Sequence, residues 1–337
     1  MHYLNHLKRI KLTPMFFSKK VIIICSLFFI SVNAIAQEED MLKLLDSTGT
    51  KKKSERTIAT FKGSKIIIAQ TTETVKKGTM DFNVAHNFGN VGVQSNGGIH
   101  TLYGLDNIAD VRIGFDFGIT NDLTLGIGRS KQKELIDGLV KFRIWNQTID
   151  NRIPFSLAIF CDMAYNPQQA STFYSGVDPA SITEKGLHRF SYVTQFILAR
   201  KFNWRFSMEL LPTYHHRNFI VGNINPTNGS VETNELFSLA GGIRLKITNR
   251  FAIIADYYHT FSKFRENNTA TPFFPPLGLG FEIDTGGHIF HLTFTNCAGI
   301  IENNYIPNTT DNWLKGGYKF GFNISRVFNL GGKKNWK

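Results

Sequence analysis

The side chains able to do chemistry in this 337-residue chain are ionisable groups spaced two apart, each flanked by apolar neighbours. In "VRIGFDFGIT", Arg112 and Asp116 share one parity with Gly114 and Gly118, while Val111, Ile113, Phe115, Phe117 and Ile119 share the other. "GGIRLKIT" sets Arg244 and Lys246 against Ile243, Leu245 and Ile247, and "FHLTFT" sets His291 against Phe290, Leu292 and Phe294. A period of two belongs to an extended strand with one apolar and one polar face. Along the chain the polar parity collects Arg112, Asp116, Lys141, Arg143, Asp162, Glu209, Arg244, Lys246, Asp256, Glu282, His291 and Lys319. Both signs occur in it, which is costly in lipid but tolerated in water or in a paired network. Two chemistries are open to such a set. Fixed charges along a polar path select which small polar or ionic solutes pass, whereas charges paired across a narrow lumen hold it shut. Glu282 and His291 are expected opposite each other across "TGG", and Glu209, Arg244 and Asp256 are expected to form a ladder on consecutive strands.

Catalytic alternatives are thinner. "YHHRN" puts His215 and His216 side by side at a strand end, so one faces in and the other out, and a histidine beside a serine could activate it for lipid hydrolysis. No Gly-x-Ser-x-Gly elbow accompanies them, and interfacial histidines commonly belong to an aromatic girdle. The reading therefore leans away from an enzyme and assigns no catalytic residue. "GLGFE", Gly278 to Glu282, is glycine-rich but lies in a strand pattern with no helix to receive a phosphate. No Cys/His cluster has metal-ligand spacing, so neither a metal nor another cofactor is expected.

The elements that must position these charges are strands. Twelve are read: 80–88, 111–119, 122–130, 135–145, 154–164, 188–200, 205–216, 235–248, 251–260, 277–284, 288–296 and 317–328. Connections after the second, sixth, eighth and tenth are very short, as in "KFNW", "TNR" and "TGG", and "NQTIDNRI" after the fourth is little longer. Those after the first, fifth, seventh, ninth and eleventh are long and rich in Asn, Thr, Gly and Pro; only "KQKE", after the third, is short for its class. Short turns at one end and long loops at the other are the organisation of an outer-membrane barrel. A soluble exported β-sandwich is the competing fold, but its crossovers would not sort the connections by length. The expected fold is thus all-β: a transmembrane antiparallel up-and-down barrel of about 12 strands, a size between a side-chain-filled interior and an open aqueous channel. In the last strand, Tyr318, Phe320, Phe322 and Ile324 would face lipid, and pairing with 80–88 would close the sheet.

Upstream, Lys19 and Lys20 precede an apolar run from Val21 to Val32 and the small-residue pattern Ala34-Ile35-Ala36, the order of a secretory signal peptide. The expected organisation is a signal peptide over 1–36, an N-terminal periplasmic or plug segment over 37–78, an outer-membrane barrel over 79–330 and a tail over 331–337. Removing the leader lowers the formal charge from +12 to about +7, so the basic balance is partly an address and gives no reason to expect nucleic acid. Cys161 and Cys297 fall on strands about half a circumference apart, which argues against a disulfide.

With these residues in view, the chain resembles an uncharacterised family, a domain of unknown function, of outer-membrane-type β-barrel proteins of Gram-negative bacteria. The stretches that carry the resemblance are "ATFKGSKII", "DFNVAHNFG", "LYGLDNIADVRIGFDFGIT", "LTLGIGRS", "DGLVKFRI", "LPTYHHRN", "DTGGHIFHLTFTN" and "GFNISRVF", in order from Ala59 to Phe328. The resemblance implies a barrel in the envelope and no particular activity.

The function expected from the residues is a narrow channel or solute-uptake protein in the cell outer membrane, its substrate unspecified. A closed barrel with a structural or surface-interaction role is the alternative, and a lipid-modifying enzyme stands behind both. Expected partners are outer-membrane lipid, the barrel-assembly machinery and a small polar or ionic solute.

Overall fold

Alternating strands with no second sheet to cover them must close on themselves or leave two unpaired edges. The structure, a computed structural model, describes residues 55–92, 98–178 and 183–331. The expected signal peptide, the first part of the N-terminal segment and the tail after 331 lie outside the described residues. β1 (Thr79–Asn90), β2 (Ile108–Gly118), β3 (Leu123–Ser130), β4 (Ile136–Trp145), β5 (Ser156–Tyr165) and β6 (Phe190–Lys201) form half of one sheet. β7 (Phe206–Arg217), β8 (Glu235–Lys246), β9 (Phe251–Phe261), β10 (Leu277–Asp284), β11 (Ile289–Thr295) and β12 (Lys319–Asn329) form the rest. Each strand pairs antiparallel with its neighbours in sequence, and β12 pairs with β1 to close a twelve-stranded barrel.

At the closing seam Met80 stands opposite Phe328 and His86 opposite Phe322. Phe88 stacks near Phe320 at 5.8 Å between ring centroids and His86 near Phe322 at 5.4 Å, so the aromatic parity of the last strand stitches the seam on its outer face. Ile113, Phe115, Leu125, Ile127, Val140, Phe142, Leu279 and Phe281 are exposed on the same outer face. An apolar exterior without a covering layer is what a lipid bilayer requires of a barrel. Among the described residues no helix is long and apolar enough to cross a membrane. Cys161 is exposed and Cys297 buried, and both thiols are free.

The interior is unequal around its circumference. From β5 to β9 the inward positions include Ala158, Phe160, Val193, Ile197, Leu211, Leu236, Ala240 and Tyr258, buried in one apolar cluster. From β10 through the seam to β4 they are chiefly polar: Glu282, His291, Thr293, Asp81, Arg112, Asp116, Asp137 and Lys141 are all buried. A barrel whose lumen held only water would leave the first arc wet. It is dry because two pieces of chain fill it.

Candidate functional site

The first piece is residues 55–78, which enter and leave at the short-turn end. Entry is fixed where Thr57 N donates to Gln147 O (2.8 Å), Lys201 Nζ donates to Ile58 O (2.8 Å) and Lys62 pairs with Asp284 (2.7 Å). The return is fixed where Val75 N donates to Thr124 Oγ1 and Gly78 N to Gly118 O, both at 2.9 Å. Between them the chain turns back inside the barrel, with Ile66 N donating to Ala69 O (2.9 Å) and Thr71 N to Ser64 O (2.9 Å). The sequence explains the shape: the apolar run Ile66-Ile67-Ile68-Ala69 forms the tip and the polar residues Lys62 to Lys65 and Gln70 to Thr72 form its shoulders. Ile68 and Ala69 join the apolar cluster of β5–β9.

Three consecutive backbone N–H groups at the tip, those of Ile67, Ile68 and Ala69, donate to a single oxygen of Asp256 at 3.0, 2.8 and 2.9 Å. A tight turn leaves such amides unsatisfied, and a buried carboxylate answers them with charge-assisted bonds. Two wall glycines leave room for the tip. A Cβ at Gly242 would come within 2.4 Å of Ile66 Cδ1, and one at Gly278 within 2.5 Å of Asp256 Oδ1 and 2.9 Å of Ile67 Cγ2.

The second piece comes from the opposite end. The loop 296–318 between β11 and β12 folds inward, carrying the short helix Glu302–Asn308, of which Glu302 to Pro307 are buried. Its Tyr305 Oη donates to Ile68 O (3.0 Å), while Glu302 accepts from Gln70 Nε2 (3.1 Å) and pairs with Lys65 (3.3 Å), so the two inserts meet inside the barrel. The loop is tied to the wall as well. Asn303 Nδ2 donates to Asp162 Oδ2 (2.7 Å), Ile300 N donates to Asp110 Oδ2 (3.1 Å), and Lys319 pairs with Asp311. Burial pushes the Tyr305 phenol up from its ordinary range and the Cys297 thiol up to about 11, so both stay protonated in this dry contact.

What remains of the lumen is a file of spaces along the polar arc. A mouth of about 670 Å³ at the turn end reaches Glu73, Asp81, Ile289 and Ser325. The same four residues border a cavity of about 40 Å³ against Asn83, Arg112, Asp116 and Lys141. That cavity shares Ile67, His291, Ile300 and Asn323 with a further one of about 20 Å³ under the inward loop. The two inner spaces have room for a few waters and nothing larger. Beyond the loop, two vestibules of about 410 and 340 Å³ open among the long loops.

The charges anticipated on the inward parity fall into three groups. Arg112 is bonded to Asp137 (Nε to Oδ1, 3.1 Å) and to Asn83 (3.0 Å), with Asp116 accepting from Asn83 at 3.2 Å. Arg244 donates to Glu282 from Nε (2.9 Å) and Nη2 (2.7 Å), and His291 Nε2 lies 3.4 Å from Glu282. Lys141 and Asp256 hold the first insert, Lys141 through Ser64 O at 2.8 Å, and Lys319 and Asp162 hold the second.

Three charges, Arg143, Lys246 and Glu209, stand apart from these groups, with Arg143 lining the turn-end mouth. Arg143 and Lys246 lie at the turn-end rim, Arg143 on Asp122 (3.0 Å) and Lys246 over the Trp204 ring (5.6 Å), because parity sets direction and not depth. The ladder of Glu209, Arg244 and Asp256 does not form: Arg244 passes over the small Ala252 of β9 to reach Glu282, and both Glu209 carboxylate oxygens lack a hydrogen-bond partner. His215 is fully buried, and His216, partly exposed, lies 3.4 Å from Glu235, so the two side chains face different surroundings.

Asp137, Glu302, Tyr305 and Lys65 escaped the sequence reading. Asp137 shares the parity of Lys141 and could have been found. The signal for Tyr305 was faint, an apolar Ile300-Ile301 and Tyr305-Ile306 within an otherwise Asn-rich loop.

Residues 61–328 match the model of a family described as a membrane bound beta barrel domain (DUF5777), and the chain belongs to that family. No curated protein matches the chain in sequence. Among solved structures it is similar to the NanC porin (8% identity, TM-score 0.41), with 74% of this chain and 98% of that one covered. It is also similar to the KdgM porin (6%, TM-score 0.40, 74% and 98% covered) and to Omp33 of Acinetobacter baumannii (9%, TM-score 0.36, 77% and 100% covered).

Proposed function

We propose that this membrane-bound β-barrel is a gated outer-membrane channel for small polar or ionic solutes, held closed by the inserts 55–78 and 296–318. In this reading residues 1–36 export the chain as a signal peptide, the barrel-assembly machinery inserts it, and the short turns face the periplasm. The observation that carries the proposal is the file of spaces along the polar arc. The inserts fill the apolar arc and leave a seam of water-sized cavities against Asp81, Arg112, Lys141 and His291, lined with fixed charge as a selective path is. Withdrawal of the tip at Ile66–Ala69 would join the turn-end mouth to that seam.

The test is planar-bilayer recording of the mature protein beside a version lacking 37–78. The expected result is near silence from the first and steady conductance from the second. Silence from both, with a heat-dependent gel shift showing folded barrels, would overturn the channel reading and leave the closed structural barrel.

A further inference from the structure

The 340 Å³ vestibule at the loop end is built from four separate stretches of chain, and its charged lining is mainly cationic. Lys133 comes from the β3–β4 loop, His188 and Arg189 from the β5–β6 loop, and Arg217 from the end of β7; the one carboxylate among the lining residues is Glu232. Glu232 is already engaged, 2.9 Å from Arg217 Nη1. Arg189 is held in place and, among the described residues, has no counter-charge within ion-pair distance. It donates to the carbonyls of Asn166 (2.9 Å) and Gln168 (2.5 Å), and its guanidinium lies 4.9 Å from the centre of the Phe173 ring.

Unsatisfied donors lie around the same floor. Arg217 Nε is buried without a hydrogen-bond partner, and behind it, in the lining of the neighbouring vestibule, so are Nε and Nη1 of Arg265, whose Nη2 donates to Pro307 O (2.9 Å) of the inward loop. Burial, and then the nearby Arg217, push Arg265 down to about 10. The apolar part of the lining is Leu135, Phe173, Phe190, Phe219, Ile220 and Pro307, with neutral polar residues between them. His188 stacks on Phe219 at 5.3 Å, so the aromatic wall is itself packed and fixed.

We infer that this vestibule is an entry site for small organic carboxylates with an apolar body, the carboxylate meeting Lys133 and Arg189 and the body lying on the Phe173 and Phe219 side. A rigid guanidinium already held on an aromatic ring loses little freedom on binding a carboxylate. The apolar lining supplies the binding area, and the cations fix orientation. The inference rests on the channel reading for its purpose, since a site at the mouth would load the path below it. It does not rest on that reading for its test.

The experiment is isothermal titration of the full-length mature protein in neutral detergent with adipate, its uncharged diamide, and inorganic phosphate. Adipate should bind, the diamide and phosphate should bind at least about tenfold more weakly, and the affinity should fall with added salt. Lys133→Gln and Arg189→Gln should each weaken adipate about three- to tenfold. Arg152→Gln, on an exposed arginine of the β4–β5 turn, should leave it unchanged. Equal binding of diamide and adipate, phosphate tighter than adipate, or equal losses from Arg152→Gln and Lys133→Gln would overturn the inference. Binding with no conductance from either recorded form would remove the channel and keep the site; conductance with no binding would do the reverse.

Discussion

The two arcs of the barrel wall solve the same problem in opposite ways. From β5 to β9 the wall presents Phe160, Ile197, Leu211 and Leu236 inward and needs something apolar to cover them, which Ile68, Tyr305 and Ile306 provide. From β10 round to β4 the wall presents polar and charged groups, Arg112 paired with Asp137 and Glu282 paired with an Arg244 that reaches across from β8, and needs no apolar cover. Burial of the inserts thus follows the hydrophobic effect toward one side, and the leftover volume follows the charges to the other. Fastening of the inserts and integrity of the wall are therefore separable properties.

The largest expected effect breaks the wall. Glu282→Gln leaves the Arg244 guanidinium buried without its counter-charge, an uncompensated charge that costs on the order of 3–5 kcal/mol. Urea unfolding in detergent should register the loss, with no gain in conductance from molecules that remain folded. Asp256→Asn is the counterpart on the apolar arc. The three amides of Ile67, Ile68 and Ala69 would share a neutral acceptor, and charged hydrogen bonds exceed neutral ones by about 1 kcal/mol each. Seating of the tip should weaken by roughly 3 kcal/mol, visible as channel openings and faster proteolysis of 55–78 with the barrel's unfolding midpoint unchanged.

Tyr305→Phe removes one hydrogen bond between the inserts, that to Ile68 O, and should cost about 1 kcal/mol. Brief openings should become more frequent without persisting. The smallest effect belongs to the rim pair Arg56–Asp122 at 3.3 Å, whose side chains are 61% and 30% exposed. Burial opposes ionisation of Asp122, but Arg143 and Arg56 outweigh it and hold the carboxyl below its ordinary value. A depressed carboxylate stabilises above its unfolded pKa and loses that contribution as pH falls through the folded one. The entry of the first insert should accordingly loosen only in acid, and Arg56→Gln should reduce that pH dependence, Arg143 still holding Asp122, while changing neutral-pH behaviour little.

Much of the barrel is legible in the sequence because lipid and lumen act on every strand with a period of two. Twelve strands and the closing pair of β1 with β12 follow from that alternation and from the sorted turns. The candidate site is less legible. Parity tells that Arg143 and Lys246 point to the polar side but not that they sit at the rim, and adjacency suggests a Glu209–Arg244 contact that the stagger of a barrel defeats. The first insert is half-visible in "TIATFKGSKIIIAQ", whose apolar centre asks for cover without naming it. The second is nearly hidden, since Tyr305 and Glu302 belong to a loop whose inward course depends on an apolar arc more than 100 residues distant in parts, a relation that no local pattern records.

The measurement that tests this division most directly is single-channel recording of the intact chain, Asp256→Asn and Glu282→Gln under one set of conditions, with folding of each verified by heat-dependent gel shift. Openings are expected from Asp256→Asn, and near silence from the intact chain and from folded Glu282→Gln. Openings from Glu282→Gln with Asp256→Asn silent would contradict it, and would mean that the polar wall, not the seated tip, keeps the lumen closed.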